Sequence, residues 1–325
     1  MILVTGGSGY VGSVLVHRLL DKGYKVRVLD VGFFGHEALN DIKNKIELVE
    51  DDIRTCPVDV LDGISHIIHL AGFSNDPTAE YRPKENFTVN VDGTRHLAKL
   101  AKKVKTKKFI FGSSCSVYYT TNPDDKEKTE GDFITPTVPY SISKHLAEDI
   151  VLEAGVFTPV IFRKGTVYGL SPRMRYDLVV NTMVKDAYKN RRISLHQGGR
   201  MWRPLVDVED AARAYIFALE NKNISGIYNL VGINILVSDV ADEVQRTLKN
   251  AFGIDVEIER QDVGVSRSYR VSGERLRKAG FTEFRPLARA IKDLWEDIER
   301  NKRDFSDNKY YNIRVFEEKF TTEKA

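Results

Sequence analysis

Along the first 165 or so residues, short apolar runs alternate with stretches whose apolar positions recur every three or four residues. Ile2-Leu-Val-Thr5, Lys25-Val-Arg-Val-Leu29, Ile46-Glu-Leu-Val49 and Ile64 to Leu70 have the length and β-branched content of strands. Val11, Leu15, Leu19 and Leu20 repeat at helical spacing as far as Lys22, and Gly23 ends that helix. Two further helices are expected near 86–104, striped by Phe87, Val91, Leu97 and Leu100, and near 140–154. This alternation predicts an α/β fold with a doubly wound parallel sheet.

After Gly169 the pattern loosens. Helices near 176–189, 208–220, 238–252 and 286–301, with strands near 192–195 and 255–259, suggest a smaller α/β lobe at the carboxy-terminal side that holds a substrate. The expected division is therefore 1–169 for the sheet domain, with return segments near 205–230, then 170–303 for the lobe. Residues 304–325, rich in Lys, Glu, Phe and Tyr, show no clear period and read as a mobile or docking tail. Residues 119–139 are polar, carry Pro123, Pro136 and Pro139, and read as a loop over the mouth of a site.

The first strand runs straight into Gly6-Gly-Ser-Gly9-Tyr10-Val11-Gly12 and then a helix, the context that a dinucleotide fingerprint requires. Gly6 permits a tight turn, Gly9 lets backbone amides approach a pyrophosphate, and Gly12 allows close helix–strand packing. The phosphates would rest on the positive end of the helix dipole. Asp30, at the end of the second strand, can accept both ribose hydroxyls of NAD and would repel a 2′-phosphate. Positions 31–35 hold no Arg or Lys, so NAD is favoured over NADP. Asp52 and Ile53 could bracket an adenine, and Leu70, Ala71 and Gly72 would pass close to the cofactor. His69 reads as a packed structural residue.

Tyr140 and Lys144 stand four apart on a predicted helix and share one face. An unperturbed tyrosine, with a pKa of about 10, is a poor base at neutral pH. A neighbouring ammonium favours the phenolate and makes it usable in acid/base chemistry. A Ser114 hydroxyl could hold the same reacting oxygen. That set suits removal of an alcohol proton while a hydride leaves its carbon.

With these pieces in place the chain resembles the extended short-chain dehydrogenase/reductase family, in its NAD-dependent nucleotide-sugar epimerase/dehydratase branch. The resemblance rests on Gly6-x-x-Gly9-x-x-Gly12, Asp30, Asp52-Ile53, His69-Leu-Ala-Gly72 and Asn90-Val-Asp-Gly-Thr94. It continues through Phe109 to Tyr118, Tyr140-x-x-x-Lys144, Arg163 to Gly169 and Arg203 to Asp210, in the family's order over roughly 1–300. It implies a Rossmann domain and NAD held by the glycine turn, Tyr10, Val11, Asp30, Asp52, Ile53, residues 70–72, Asn90, Ser113, Tyr140 and Lys144. Tyr140 would be the base, Lys144 would orient it and hold the nicotinamide ribose, and Ser114 would polarise the substrate oxygen. Ser113 takes that last role if the alignment slips by one residue.

By the same resemblance a nucleoside-diphosphate sugar is the substrate, with Arg203 and Arg267 on its diphosphate. Ser74 and Asn75, in the loop after the fourth strand, would touch the sugar or nicotinamide; a plain Asx–proline turn is the alternative for Asn75. The family's dehydratases place carboxylates directly after the hydroxyl residue, where this chain has Cys115 and Ser116. Dehydration is thereby disfavoured, and decarboxylation too. A 4-epimerase is expected, with a 4-dehydrogenase or 4-ketoreductase, on a deoxy or heptose sugar, as the alternative. Gly112-Ser-Ser-Cys115 is also similar to GDP-fucose synthases, which implies proton transfer by Cys115; a small buried thiol filling space is the other reading. An NAD-sensing scaffold is the non-enzyme alternative.

Composition narrows these classes further. The 325 residues hold only two cysteines, which suits a reducing cytoplasm, and no Cys/His cluster with metal-ligand spacing, so no metal is expected. No apolar stretch is long enough to span a membrane, and no secretion leader precedes the first strand. The basic run Lys99 to Lys108 alternates with apolar residues as a solvated helix face would, so nucleic acid is not an expected partner. In relatives the helices matching 86–104 and 140–154 often pack between subunits, which implies a homodimer.

Overall fold

The computed structural model describes residues 1–118, 126–261 and 268–322. Arg267 and the first part of the 119–139 loop lie outside the described residues. In chain order the strands of the first half are β1 (Ile2–Thr5), β2 (Val26–Leu29), β3 (Glu47–Val49), β4 (His66–His69), β5 (Lys108–Ser114) and β6 (Thr158–Lys164). β7 (Thr166–Tyr168), β8 (Arg192–His196), β9 (Trp202–Asp207), β10 (Gly226–Leu230), β11 (Ile233–Leu236) and β12 (Glu257–Gln261) follow. The helices are α1 (Tyr10–Asp21), α2 (Asp76–Tyr81), α3 (Pro83–Phe87), α4 (Thr94–Lys103), α5 (Pro139–Glu153) and α6 (Val179–Asn190). Then come α7 (Val208–Glu220), α8 (Val237–Phe252), α9 (Glu274–Lys278), α10 (Leu287–Asn301) and α11 (Asn312–Thr322).

Seven strands form one parallel sheet in the order β3-β2-β1-β4-β5-β6-β10. Its strands are continuously apolar because both faces are covered. Leu3, Ile67, Phe109, Phe111 and Ile161 pack with Leu97 of α4 and Ala147 of α5. The alternate residues Val4, Ile68, Ile110 and Phe162 pack with Val14 of α1 and Tyr215 of α7. Strand order reverses between β1 and β4, and the crevice outside the carboxyl ends of the strands there is where such sheets bind ligands.

The smaller lobe contains a three-stranded sheet, β11-β9-β7, and a parallel pair, β12-β8. Helices α6, α8 and α10 pack together around it, with Trp295 fully buried. β10 and α7 return to the first domain, β10 beside β6 and α7 against α1. The expected helix near 86–104 runs from Pro83 to Lys103 but loosens into a π-turn over Thr88–Gly93. Wide turns of this kind are frequent at functional sites.

The segment read as a patternless tail ends in α11, a helix docked on the mouth of the crevice. Its Phe316 ring lies 4.6 Å from Phe33 and 4.8 Å from Phe73, and the Arg82 guanidinium covers Phe320 at 4.1 Å. Each is a contact with a residue more than two hundred positions earlier in the chain.

Candidate active site

A cavity of about 770 Å³ opens above the carboxyl ends of β1, β4, β5 and β6. On one side it is bounded by the turn between β1 and α1. Gly6 has φ 71°, and a Cβ there would meet the Ala71 amide nitrogen at 2.6 Å. At Gly12 a Cβ would sit 2.1 Å from the Gly6 carbonyl oxygen. Side chains at either position would break the turn or fill the cradle that it forms, so the residues present fit a dinucleotide. Gly9, Tyr10 and Val11 also line the cavity at the amino end of α1, the end of a helix that favours a bound anion. The Tyr10 hydroxyl points away, donating to the Gly169 carbonyl at 2.6 Å and so tying the turn to the second lobe.

Asp30 accepts hydrogen bonds from the Ser8 and Gly32 amides at 2.9 and 3.0 Å. Burial raises its carboxyl above the ordinary value and these bonds oppose that rise. Arg27 turns away to Glu47, while Arg173 and Lys319 lie over the Phe34 and Phe33 rings at 4.0 and 5.0 Å, on the segment that follows the acid. Asp52 pairs with Arg54, and both line the far end of the cavity with Ile53. Leu70, Ala71 and Gly72 line its floor. His69 is fully buried between the Thr5 and Thr94 hydroxyls, and burial pushes its pKa down to about 3, so it is a neutral structural residue.

Ser114 ends β5, and α5 begins one residue before Tyr140, with Pro139 fixing the first turn. The Ser114 hydroxyl accepts the Ser116 amide at 3.1 Å and faces the Tyr140 phenol, pulling its pKa down. One turn on, Lys144 Nζ lies 5.9 Å from the Tyr140 ring centre and donates to the Gly112 carbonyl at 3.2 Å. The three residues thus meet as expected, but Lys144 is not the neighbour that lowers the tyrosine. Burial pushes the Tyr140 phenol up, while the Ser114 hydroxyl and the Arg175 charge pull it back. Lys144 is itself pushed down to about 8 by burial, with Glu148 opposing.

Ser113 cannot replace Ser114. Its hydroxyl is fully buried and donates to Glu148, whose carboxylate also receives Arg163 at 2.6 Å. Ser113 therefore lines the cavity while its hydroxyl is engaged elsewhere.

Three expected site residues are placed differently. Cys115 starts a 3₁₀ turn that carries it off the cavity wall; its fully buried thiol donates to the Arg163 carbonyl at 3.1 Å, and burial pushes it up. A thiol so placed fills space and does not transfer protons to a ligand. Asn90 lies behind the cavity, where Oδ1 accepts the Phe73 amide at 2.8 Å and Nδ2 donates to Ser143 at 2.9 Å. It shapes the 72–73 backbone and leaves the ligand space to others. Arg203 lies on β9 away from the cavity lining, with Nη1 donating to the Trp202 carbonyl. Ser74 and Asn75 both line the cavity; Ser74 accepts from Asn312 at 3.0 Å, and the Asn75 side chain also caps α2, as the Asx–proline turn has it.

Several lining residues had no signal in the sequence. Arg173 stacks 4.0 Å over Phe34, and Arg175 pairs with Asp177 at 2.9 Å. Asn312, Phe316 and Lys319 of α11 roof the cavity. Lys164, inside the 163–169 motif, enters it from β6.

The model of the NAD dependent epimerase/dehydratase family matches residues 2–231. A UDP-glucose 4-epimerase of Haemophilus influenzae is 26% identical over 94% of this chain and 99% of its own. A human dTDP-D-glucose 4,6-dehydratase is 29% identical over 74% of this chain and 71% of its own. Among solved structures, Thermotoga maritima UDP-glucose 4-epimerase with UDP-glucose superposes with a TM-score of 0.79 at 24% identity, over 93% of this chain and 99% of that one. Relatives thus include both epimerases and dehydratases, and the solved structure shares the fold described above. The chain is an enzyme of the NAD-dependent epimerase/dehydratase family, and NAD is its cofactor.

Proposed function

We propose that this protein oxidises the sugar of a nucleoside-diphosphate sugar at C4 and returns the hydride to the opposite face, as a 4-epimerase. The observation that carries the reading is the meeting of Ser114, Tyr140 and Lys144 at a cavity edge where positions 115 and 116 offer no carboxylate. Bound NAD supplies the hydride acceptor. Tyr140 takes the C4 hydroxyl proton and gives it back, and Ser114 holds the same oxygen in line. Tyr140 must start as the phenolate to take that proton; burial opposes the charge, and the Ser114 hydroxyl and the Arg175 charge work against burial. Eliminating water across C5 and C6 needs a carboxylate, which neither the Cys115 thiol nor the Ser116 hydroxyl can replace.

Cys115, Asn90 and Arg203 lie off the cavity wall, and Ser74 with Asn312, Arg175 and Asp177 offers a polar wall for the sugar. The same reading carries a homodimer across α4 and α5, where Leu146 is exposed on α5; light scattering tests it. For the reaction, UDP- and dTDP-hexoses are incubated with the protein and followed by NMR and NADH absorbance. A C4 epimer without net NADH is expected; stoichiometric NADH or a stable keto sugar would overturn the reading in favour of a dehydrogenase. Tyr140→Phe separates an enzyme from a sensor. An enzyme loses about 10²–10⁴ in rate with NAD still bound.

A further inference from the structure

Lys164 stands at the carboxyl end of β6, directly across from Ser114 in the parallel register. Its side chain runs back over Gly112, where a Cβ would come within 2.7 Å of Nζ and 2.8 Å of the Tyr215 hydroxyl. Nζ donates to that hydroxyl at 3.2 Å. Lys144 reaches the carbonyl of the same glycine, so two ammonium groups converge on Gly112. Among the described residues no ion pair holds Lys164. The titratable groups acting on it are Lys144 and Cys115, with His69 feeling its charge in turn. Glu148, the acid beside Lys144, is spent on Arg163 and Ser113.

A cation held in a partly buried site without an acid is costly, and it acts strongly on any charge that appears beside it. On the proposed reaction, hydride must land within bonding reach of the carbon whose oxygen meets Tyr140 and Ser114. NAD held in this cavity would thus bring its nicotinamide ring near the end of β5, where Ser114 and Lys164 both line the wall. That ring is cationic when oxidised and uncharged when reduced. When bound, NAD would supply the acceptor for hydride and its two electrons and would lose that positive charge on reduction, while Tyr140 takes the hydroxyl proton.

We propose that Lys164 is a positioning residue for redox poise: its ammonium disfavours the oxidised ring and raises the affinity for NADH relative to NAD. This rests on the reading above that the reacting ring sits over β5. Burial, with Lys144 beside it, pushes Lys164 down to about 7, so an appreciable share of the charge is present at neutral pH.

The test is the ratio of the dissociation constants for NAD and NADH, titrated by fluorescence on cofactor-free protein below neutral pH. Lys164→Met should cut the preference for NADH by about tenfold or more. Lys164→Arg, which keeps the charge, should retain most of it, and Lys164→Gln serves if the Met variant does not fold. A merely structural lysine would weaken both ligands equally. An unchanged ratio in the Met or Gln variant overturns the inference. If the wild-type protein binds neither cofactor form, the proposed function fails instead.

Discussion

Replacing Glu148 by Leu is the sharpest perturbation of the framework behind the site. Its carboxylate and the Arg163 guanidinium are 1% and 4% exposed and share contacts of 2.6, 3.0 and 3.1 Å. Arg163 also donates to the Tyr118 hydroxyl at 2.6 Å. Leucine fills most of the volume, so the loss comes from stranding a buried guanidinium. Such stranding costs about 3–5 kcal/mol. At roughly 2–4 °C per kcal/mol for a domain of this size, the melting temperature should fall by about 10 °C. The double variant Glu148→Leu/Arg163→Met removes both charges and should recover most of that loss. Thermal melts of the three proteins decide the matter, with urea titration as a check. A single variant within about 1 kcal/mol of wild type, or a double variant no better than the single, refutes the reasoning.

Other consequences are open to direct measurement. Asp30→Asn removes the charge that excludes a 2′-phosphate, and the NAD-over-NADP preference should fall by about tenfold in competition binding; an unchanged preference removes Asp30 from cofactor choice. Phe316→Ala deletes the ring joining α11 to Phe33 and Phe73. Loss of a buried phenyl costs about 3–5 kcal/mol, so α11 should become protease-sensitive and NAD affinity should drop at least tenfold by titration; a protected helix and intact affinity contradict the roofing role. Because burial lowers Lys144 to about 8, its ammonium is present below that pH and lost above it. With protonated Lys144 as the active form, kcat/KM should decline above about pH 8, whereas a profile flat to pH 10 would show that its charge is not needed.

The sheet was readable because each strand's apolar run and each helix's stripe answer to local burial. The cofactor turn was readable because Gly6 and Gly12 leave no room for a side chain. Roles decided by single-residue direction were harder to read. Ser114 faces the phenol while Cys115, one residue later, enters a 3₁₀ turn and buries its thiol, so spacing alone could not divide their duties. Asn90 looked like a ligand contact, yet its amide is consumed by Phe73, Asn86 and Ser143. Helix α11 carries little signal in the sequence because Phe316 and Phe320 form a short stripe among charged residues, and the rings they meet lie near the start of the chain. The Tyr140–Lys144 spacing predicts activation of the phenol by the ammonium. Burial of both groups, which spacing does not report, is the larger influence on each.

The central claim concerns one hydrogen that leaves C4 and comes back. A nucleotide sugar deuterated at C4, once epimerised, should keep its deuterium at C4 with none exchanged into water, as read by NMR and mass spectrometry. Deuterium lost to solvent, or released stoichiometrically as deuterated NADH, would contradict the account.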